Sequence, residues 1–121
     1  MQRRSSDTVK IFYPRYSKDE VVRILRERAG VLSKIKNIKK VVLFGSYAEG
    51  RYTAASDIDV LIIYEDEDWR DVYDTAWDIF NISEIEIHLM SLNRYTILKR
   101  EGDPFIKYIE EKGIVVWSSL E

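Results

Sequence analysis

The sequence has no cysteine in its 121 residues, which excludes a disulfide framework and thiolate chemistry. No apolar run approaches the ~18 residues of a membrane span. The opening segment, MQRRSSDTVK, lacks the apolar core of a signal peptide, so a cytoplasmic protein is expected. An excess of positive charge is missing too: 19 basic residues face 21 acidic ones, for a net charge of −2. A protein that grips extended nucleic acid carries a basic domain or face, and this balance argues against one. Basic groups at Arg3-Arg4 and at Lys34, Lys36, Lys39 and Lys40 read as solvated surface. There is no internal repeat, linker or low-complexity tract. What remains is an ordinary globular composition, 45% apolar and 33% charged, in a chain long enough for one domain with its own core. Residues 1–10 read as a mobile arm ahead of that domain.

One stretch stands out, Val41 to Tyr64, VVLFGSYAEGRYTAASDIDVLIIY. The apolar run Val41-Val42-Leu43-Phe44 reads as a buried strand that must turn at Gly45-Ser46. Ten residues later, Asp57-Ile58-Asp59 opens a second apolar run, Val60 to Ile63. Alternation along a strand points Asp57 and Asp59 the same way and sends Ile58, Val60 and Ile62 toward a core. Two carboxylates side by side repel unless a cation sits between them, and oxygen ligands suit a hard ion such as Mg²⁺. The turn at Gly45-Ser46 offers backbone N–H groups and a hydroxyl, a cradle for phosphate. A phosphate cradle beside paired aspartates points to metal-assisted phosphoryl or nucleotidyl transfer.

Gly45-Ser46, ten residues and Asp57-x-Asp59 resemble the signature of the DNA-polymerase-β-like nucleotidyltransferases. The wording LFGSYAEG and SDIDVLI resembles their minimal, stand-alone branch, often the antitoxin partner of a HEPN-domain toxin. The resemblance implies an α/β (α+β) fold with a small mixed sheet and catalytic carboxylates on its strands. It implies two Mg²⁺ ions, with Mn²⁺ as a substitute, and ATP or another nucleoside triphosphate as donor. A third carboxylate is implied on a later strand, between two hydrophobic residues. Ile85-Glu86-Ile87 fits that position, although relatives more often carry Asp there, and Glu84 on the same face is the competitor. His88 shares this face; a lone histidine on a half-exposed strand is usually structural, and contact with substrate is the minority reading. Glu49 replaces the basic residue many relatives have in the turn, and Arg51 is the candidate to supply that charge to the triphosphate. The implied activity is transfer of AMP to a hydroxyl, a tyrosine of the HEPN toxin, which would silence its ribonuclease. The alternatives are a nucleotidyltransferase acting on a small molecule such as an antibiotic, and a non-catalytic module that neutralises a toxin by covering it.

The rest of the chain alternates helices and strands, with the helices expected on one face of the sheet. Ile11-Phe12-Tyr13-Pro14 reads as an edge segment or a lead into a helix. Ser17-x-x-Glu20 is a capping box opening a helix to about Lys36, with Gly30 as a weak point. The acidic run Glu65 to Asp68 favours a helix N-terminus. The next helix carries Trp69, Val72, Tyr73, Ala76, Trp77 and Phe80 at helical spacing, with both Trp expected in the core or at a partner interface. Ile82 to Met90 alternates as a third strand, and Ser91 caps a helix to about Arg100. Asp103-Pro104 starts another, ending at Gly113. Ile114 to Trp117 reads as a last strand or an apolar tail.

Overall fold

The structure, a computed structural model, describes residues 16–120. The expected arm over 1–10 and the segment Ile11–Pro14 lie outside the described residues. Helix α1 spans Lys18–Ile35 and begins where the capping box places it. The Glu20 N–H donates to Ser17 Oγ at 3.1 Å, and the Ser17 N–H donates to Glu20 Oε1 at 2.8 Å. Such a cap contributes about 1 kcal/mol. Gly30 does not end the helix, which continues to Ile35 with Val21, Leu25, Ala29 and Leu32 buried on one stripe.

Strand β1 (Ile38–Phe44) starts three residues before the expected Val41, because Lys39 and Lys40 belong to it. Their ammonium groups reach out of the sheet, Lys39 to Glu65 at 3.2 Å and Lys40 toward the Tyr95 hydroxyl at 3.4 Å. A single helical turn, α2 (Ser46–Glu49), comes next, and then β2 (Ile58–Tyr64). Helix α3 (Trp69–Phe80) is capped by Asp68, whose side chain accepts the Arg70 N–H. After it come β3 (Ile85–Ser91), α4 (Leu92–Glu101) capped by Ser91, α5 (Pro104–Lys112) capped by Asp103, and β4 (Ile114–Ser118). The last apolar stretch is therefore a strand.

The sheet order is β3-β2-β1-β4. Strand β1 runs antiparallel to both β2 and β4, whereas β2 and β3 are parallel and joined through α3. The mixed sheet and the α/β class agree with expectation. The placement of the helices on one face does not. Helices α1 and α3 cover Val41, Leu43, Ile58, Val60, Ile62, Ile85 and Ile87. The other face, with Val42, Phe44, Leu61 and Ile63, packs against Tyr95 of α4 and against Ile106 and Ile109 of α5. The physical reason is that all four of those strand residues are apolar, so both faces of the central strands need cover. Helix α5 lies tight against β1: a Cβ on Gly113 would stand 2.6 Å from Val42 Cγ1.

Of the two places expected for the Trp of helix α3, core or partner interface, the structure excludes the core. The helix buries Val72, Ala76 and Phe80, whereas Trp69, Tyr73 and Trp77 form the next stripe around the helix and are 51%, 37% and 46% exposed. Helical spacing identified the helix but could not say which of two adjacent apolar stripes faces the sheet. Among the described residues no helix is long and apolar enough to cross a membrane.

Candidate active site

Strand β1 leaves the sheet at Phe44, and the next residue sits at φ +81° and ψ −154°. An L side chain rarely adopts that backbone. A Cβ on Gly45 would also stand 2.6 Å from Asp59 Oδ2. The glycine thus serves two needs: it makes the turn, and it lets the main chain run against a carboxylate. Buried Tyr47 and Ala48 hold the adjoining helical turn in place. The Tyr47 hydroxyl donates to the Tyr16 carbonyl at 3.0 Å, and its ring stacks on Tyr52 at 4.2 Å and 7°. Beyond Tyr52 the loop knits itself together through Thr53 and Ser56, with the Thr53 N–H donating to Ser56 Oγ at 2.8 Å. Strand β2 begins when the Ile58 N–H reaches the Glu84 carbonyl at 2.8 Å.

Strand register decides which side chains meet at this end of the sheet. Asp59 lies opposite Phe44 on β1 and opposite Glu86 on β3. His88, two positions beyond Glu86, shares its face. One ligand atom from each of Asp59, Glu86 and His88 falls within a sphere where all lie no more than 4.8 Å apart. His88 Nε2 is 3.4 Å from Asp59 Oδ1, and the Phe44 ring packs on the imidazole at 5.2 Å between centroids. Side-chain exposure is 23% for Asp59 and 40% for His88, so the group opens to solvent while resting on an apolar floor.

The other residues singled out in the sequence fall around this trio. Asp57 stands exposed just before β2 begins and is not one of the three. Glu84 lies in the turn before β3, where it accepts the Ser83 hydroxyl at 2.6 Å. Gly45 and Ser46 form the turn beside Asp59. Arg51 is paired with Glu49 at 3.3 Å. Glu49 has a second partner, Tyr108 of α5, whose hydroxyl donates to it at 2.5 Å. These contacts, Tyr108 first and Arg51 second, hold the Glu49 carboxyl below its ordinary range. The same bond to Glu49 pushes the Tyr108 phenol up, while the Gly45 backbone opposes the shift. Tyr108 therefore stands at the Gly45 turn as well. It reads in the sequence as one more apolar helix position, and its partner is 59 residues away, so no local signal could have found it. For His88 the signal was there: a polar residue on the strand face of the candidate carboxylate.

The chain matches the family model described as a nucleotidyltransferase domain over residues 18–116. It belongs to that family, and nucleotidyl transfer is its enzyme class. Among curated relatives it is 32% identical over 75 residues to a candidate protein adenylyltransferase of Methanocaldococcus jannaschii, a match covering 61% of this chain and 87% of the relative. Among solved structures it is similar to a candidate nucleotidyltransferase from Sulfolobus solfataricus, with a TM-score of 0.56, 18% identity and 84% of each chain covered. It is also similar in fold to a chain in the crystal structure of a toxin–antitoxin pair with AMP-PNP, with a TM-score of 0.50 and 19% identity, covering 86% of this chain and 75% of that one.

Proposed function

We propose that this protein transfers AMP, or another nucleoside monophosphate, from a nucleoside triphosphate to a hydroxyl on a partner protein. The carrying observation is the direct register of Asp59 with Glu86 on parallel strands, beside a glycine turn that touches the Asp59 carboxylate. Two carboxylates and an imidazole within 4.8 Å are a donor set that fits a divalent cation. Such a cation, when bound, neutralises charge at the reacting phosphate. Asp59 and Glu86 would hold it, with Asp57, just before β2, as the second aspartate. Whether one or two Mg²⁺ or Mn²⁺ ions are held is read from binding stoichiometry.

The donor's phosphates lie along the Gly45-Ser46 turn, where the absence of a Cβ gives the backbone close approach. Arg51, whose side chain is largely exposed, meets them once it leaves Glu49. The acceptor hydroxyl gives up its proton to solvent as its oxygen bonds to the α-phosphorus, the bond from that phosphorus to the bridging oxygen breaks, and pyrophosphate leaves. Glu86, on the rim of the sheet, orients the incoming hydroxyl. Catalysis here is positioning and charge neutralisation, with no covalent enzyme intermediate.

Curated relatives named as candidate protein adenylyltransferases support a protein acceptor. The fold likeness to a toxin–antitoxin structure containing AMP-PNP, and the resemblance in the sequence to minimal nucleotidyltransferases, support a HEPN toxin as that acceptor, through a tyrosine. The site in this chain opens to solvent on the sheet rim, which leaves room for an acceptor presented by another chain.

The test is to mix the protein with the product of the adjacent reading frame, Mg²⁺ and ATP labelled at the α-phosphate. Label on a tyrosine of the neighbour, with pyrophosphate released, is expected. Label on a small molecule would replace this reading with the small-molecule one. Full neutralisation of the neighbour by Asp59→Asn, with no label on anything, would leave a binding module.

A further inference from the structure

We infer that His88 is itself a ligand of the divalent cation, and that its nitrogen turns the site's preference from Mg²⁺ toward Mn²⁺. The inference rests on the metal-dependent reading of the site and adds a donor that the carboxylate pattern does not contain.

Geometry carries it. His88 Nε2 approaches Asp59 Oδ1 to 3.4 Å. That is long for an imidazole–carboxylate hydrogen bond, which settles at about 2.7–2.9 Å when charge-assisted and about 2.9–3.0 Å otherwise. The contact is therefore a weak hydrogen bond at most, readily given up to a cation that both atoms could share. Neighbouring donors around one six-coordinate cation, each about 2.1 Å from it, stand about 3 Å apart, and opposite donors about 4.2 Å. The separations among Asp59, Glu86 and His88, none above 4.8 Å, need only small side-chain adjustment to meet those values. The imidazole is also held for the task. Phe44 packs on its ring with a 56° tilt, and its strand partner in β2 is the buried Leu61. Asp59 in turn occupies the space that a Cβ on Gly45 would fill, 2.6 Å from its Oδ2, so the glycine is what leaves the carboxylate room to stand there.

Chemistry gives the selectivity. Mg²⁺ takes oxygen and keeps its waters, whereas imidazole is a good ligand for the divalent transition metals. Replacing one oxygen donor by a ring nitrogen therefore favours Mn²⁺, and Co²⁺ still more, over Mg²⁺. A histidine that only braced Asp59 by hydrogen bonding would leave this ranking unchanged.

The chain has one histidine, so a tag-free preparation labelled with ¹⁵N-histidine reports on His88 alone. Pulsed electron paramagnetic resonance of Mn²⁺ bound to the natural-abundance protein is expected to show ¹⁴N coupling of a directly bound imidazole, replaced by ¹⁵N coupling in the labelled protein. His88→Gln is expected to abolish the coupling, weaken Mn²⁺ about tenfold in calorimetric titration and change Mg²⁺ less than twofold. Bound Mn²⁺ without histidine nitrogen coupling in the unmutated protein overturns the inference, and so does an equal loss of both metals in His88→Gln. Asp59→Asn separates this failure from that of the underlying reading. If Asp59→Asn abolishes Mn²⁺ binding but the wild-type spectrum lacks nitrogen coupling, only the role of His88 falls. If Mn²⁺ does not bind, or binds Asp59→Asn unchanged, both fall. The wild-type spectrum decides the ligand whether or not a variant folds.

Discussion

The two faces of this small sheet are built to opposite specifications. Under α1 and α3, every inward residue of the two central strands is apolar and nearly all are fully buried, from Val41 and Leu43 to Val60 and Ile62. Under α4 and α5, the same strands bury Val42, Phe44, Leu61 and Ile63, but beside Phe44 the apolar lining gives out on β2 and β3. There the residues turn to Asp59, Glu86 and His88, on a floor of Phe44. Asp59 and Val60 are chain neighbours, one facing the open side of the sheet, the other at 0% exposure in the core. One face supplies the stability that lets the other hold like charges together.

That division can be broken by substitutions on either side. Asp59→Asn should give the largest effect, a loss of nucleotidyl transfer of about 10³-fold or more, since the cation contributes several kcal/mol to charge stabilisation. Its unfolding midpoint should be unchanged or raised, because one of two repelling carboxylates is gone. A variant that unfolded instead would mean that the open face is structural. Phe80→Ala, on the closed face, should do the reverse: about 3–5 kcal/mol lost from unfolding in denaturant, with nucleotide affinity retained in the fraction still folded.

Gly45→Ala sharpens the boundary between the faces. The new methyl meets Asp59 Oδ2 in a backbone conformation that disfavours it, and the carboxylate must move. Transfer should fall about 10²-fold, with about 1–2 kcal/mol lost from stability. Wild-type transfer would show that the turn is only a strand exit.

The smallest effect belongs to the covered part of the second face. Burial, with the hydrogen bond its hydroxyl donates to Glu110 at 2.9 Å, pushes the Tyr95 phenol up to about 12. A folded-state value above the ordinary 10 means the stability it confers is complete below pH 10 and is lost as the pH rises through about 12. Spectrophotometric titration should show one tyrosine ionising late, and Tyr95→Phe should remove that step and flatten the alkaline fall in stability. An unchanged titration curve would place the late step on another tyrosine.

Much of this was legible in the sequence. The capping box at Ser17, the cap at Ser91 and the Asp103-Pro104 start are local chemistry, and each opens a helix where expected. The apolar runs around Gly45-Ser46 and Asp57-x-Asp59 gave two adjacent strands, and the alternation of Ile85, Ile87 and Leu89 gave the third. What stayed hidden depends on partners distant in sequence. Lys39 and Lys40 read as solvated surface ahead of the strand because nothing nearby shows that Glu65 and Tyr95 receive them. The Trp stripe of α3 could not be told from its buried neighbour, since both have the same period. Glu49 looked like a missing positive charge, and only the fold reveals that it holds Arg51 and Tyr108 together.

The parallel pairing of β2 with β3 also fixes when this site can exist. Asp59 and His88 are 29 positions apart, and parallel neighbours require a crossover, here the one that carries α3. The antiparallel pairing of β1 with β2 brings Gly45 and Asp59 together much earlier in synthesis, but the trio of Asp59, Glu86 and His88 is incomplete until β3 has left the ribosome and α3 has docked. Such long-range closure is the slow part of folding a sheet. A cation that binds only after it cannot guide the search for the fold. It would instead lengthen the lifetime of the finished structure, slowing unfolding while leaving the refolding rate where it was.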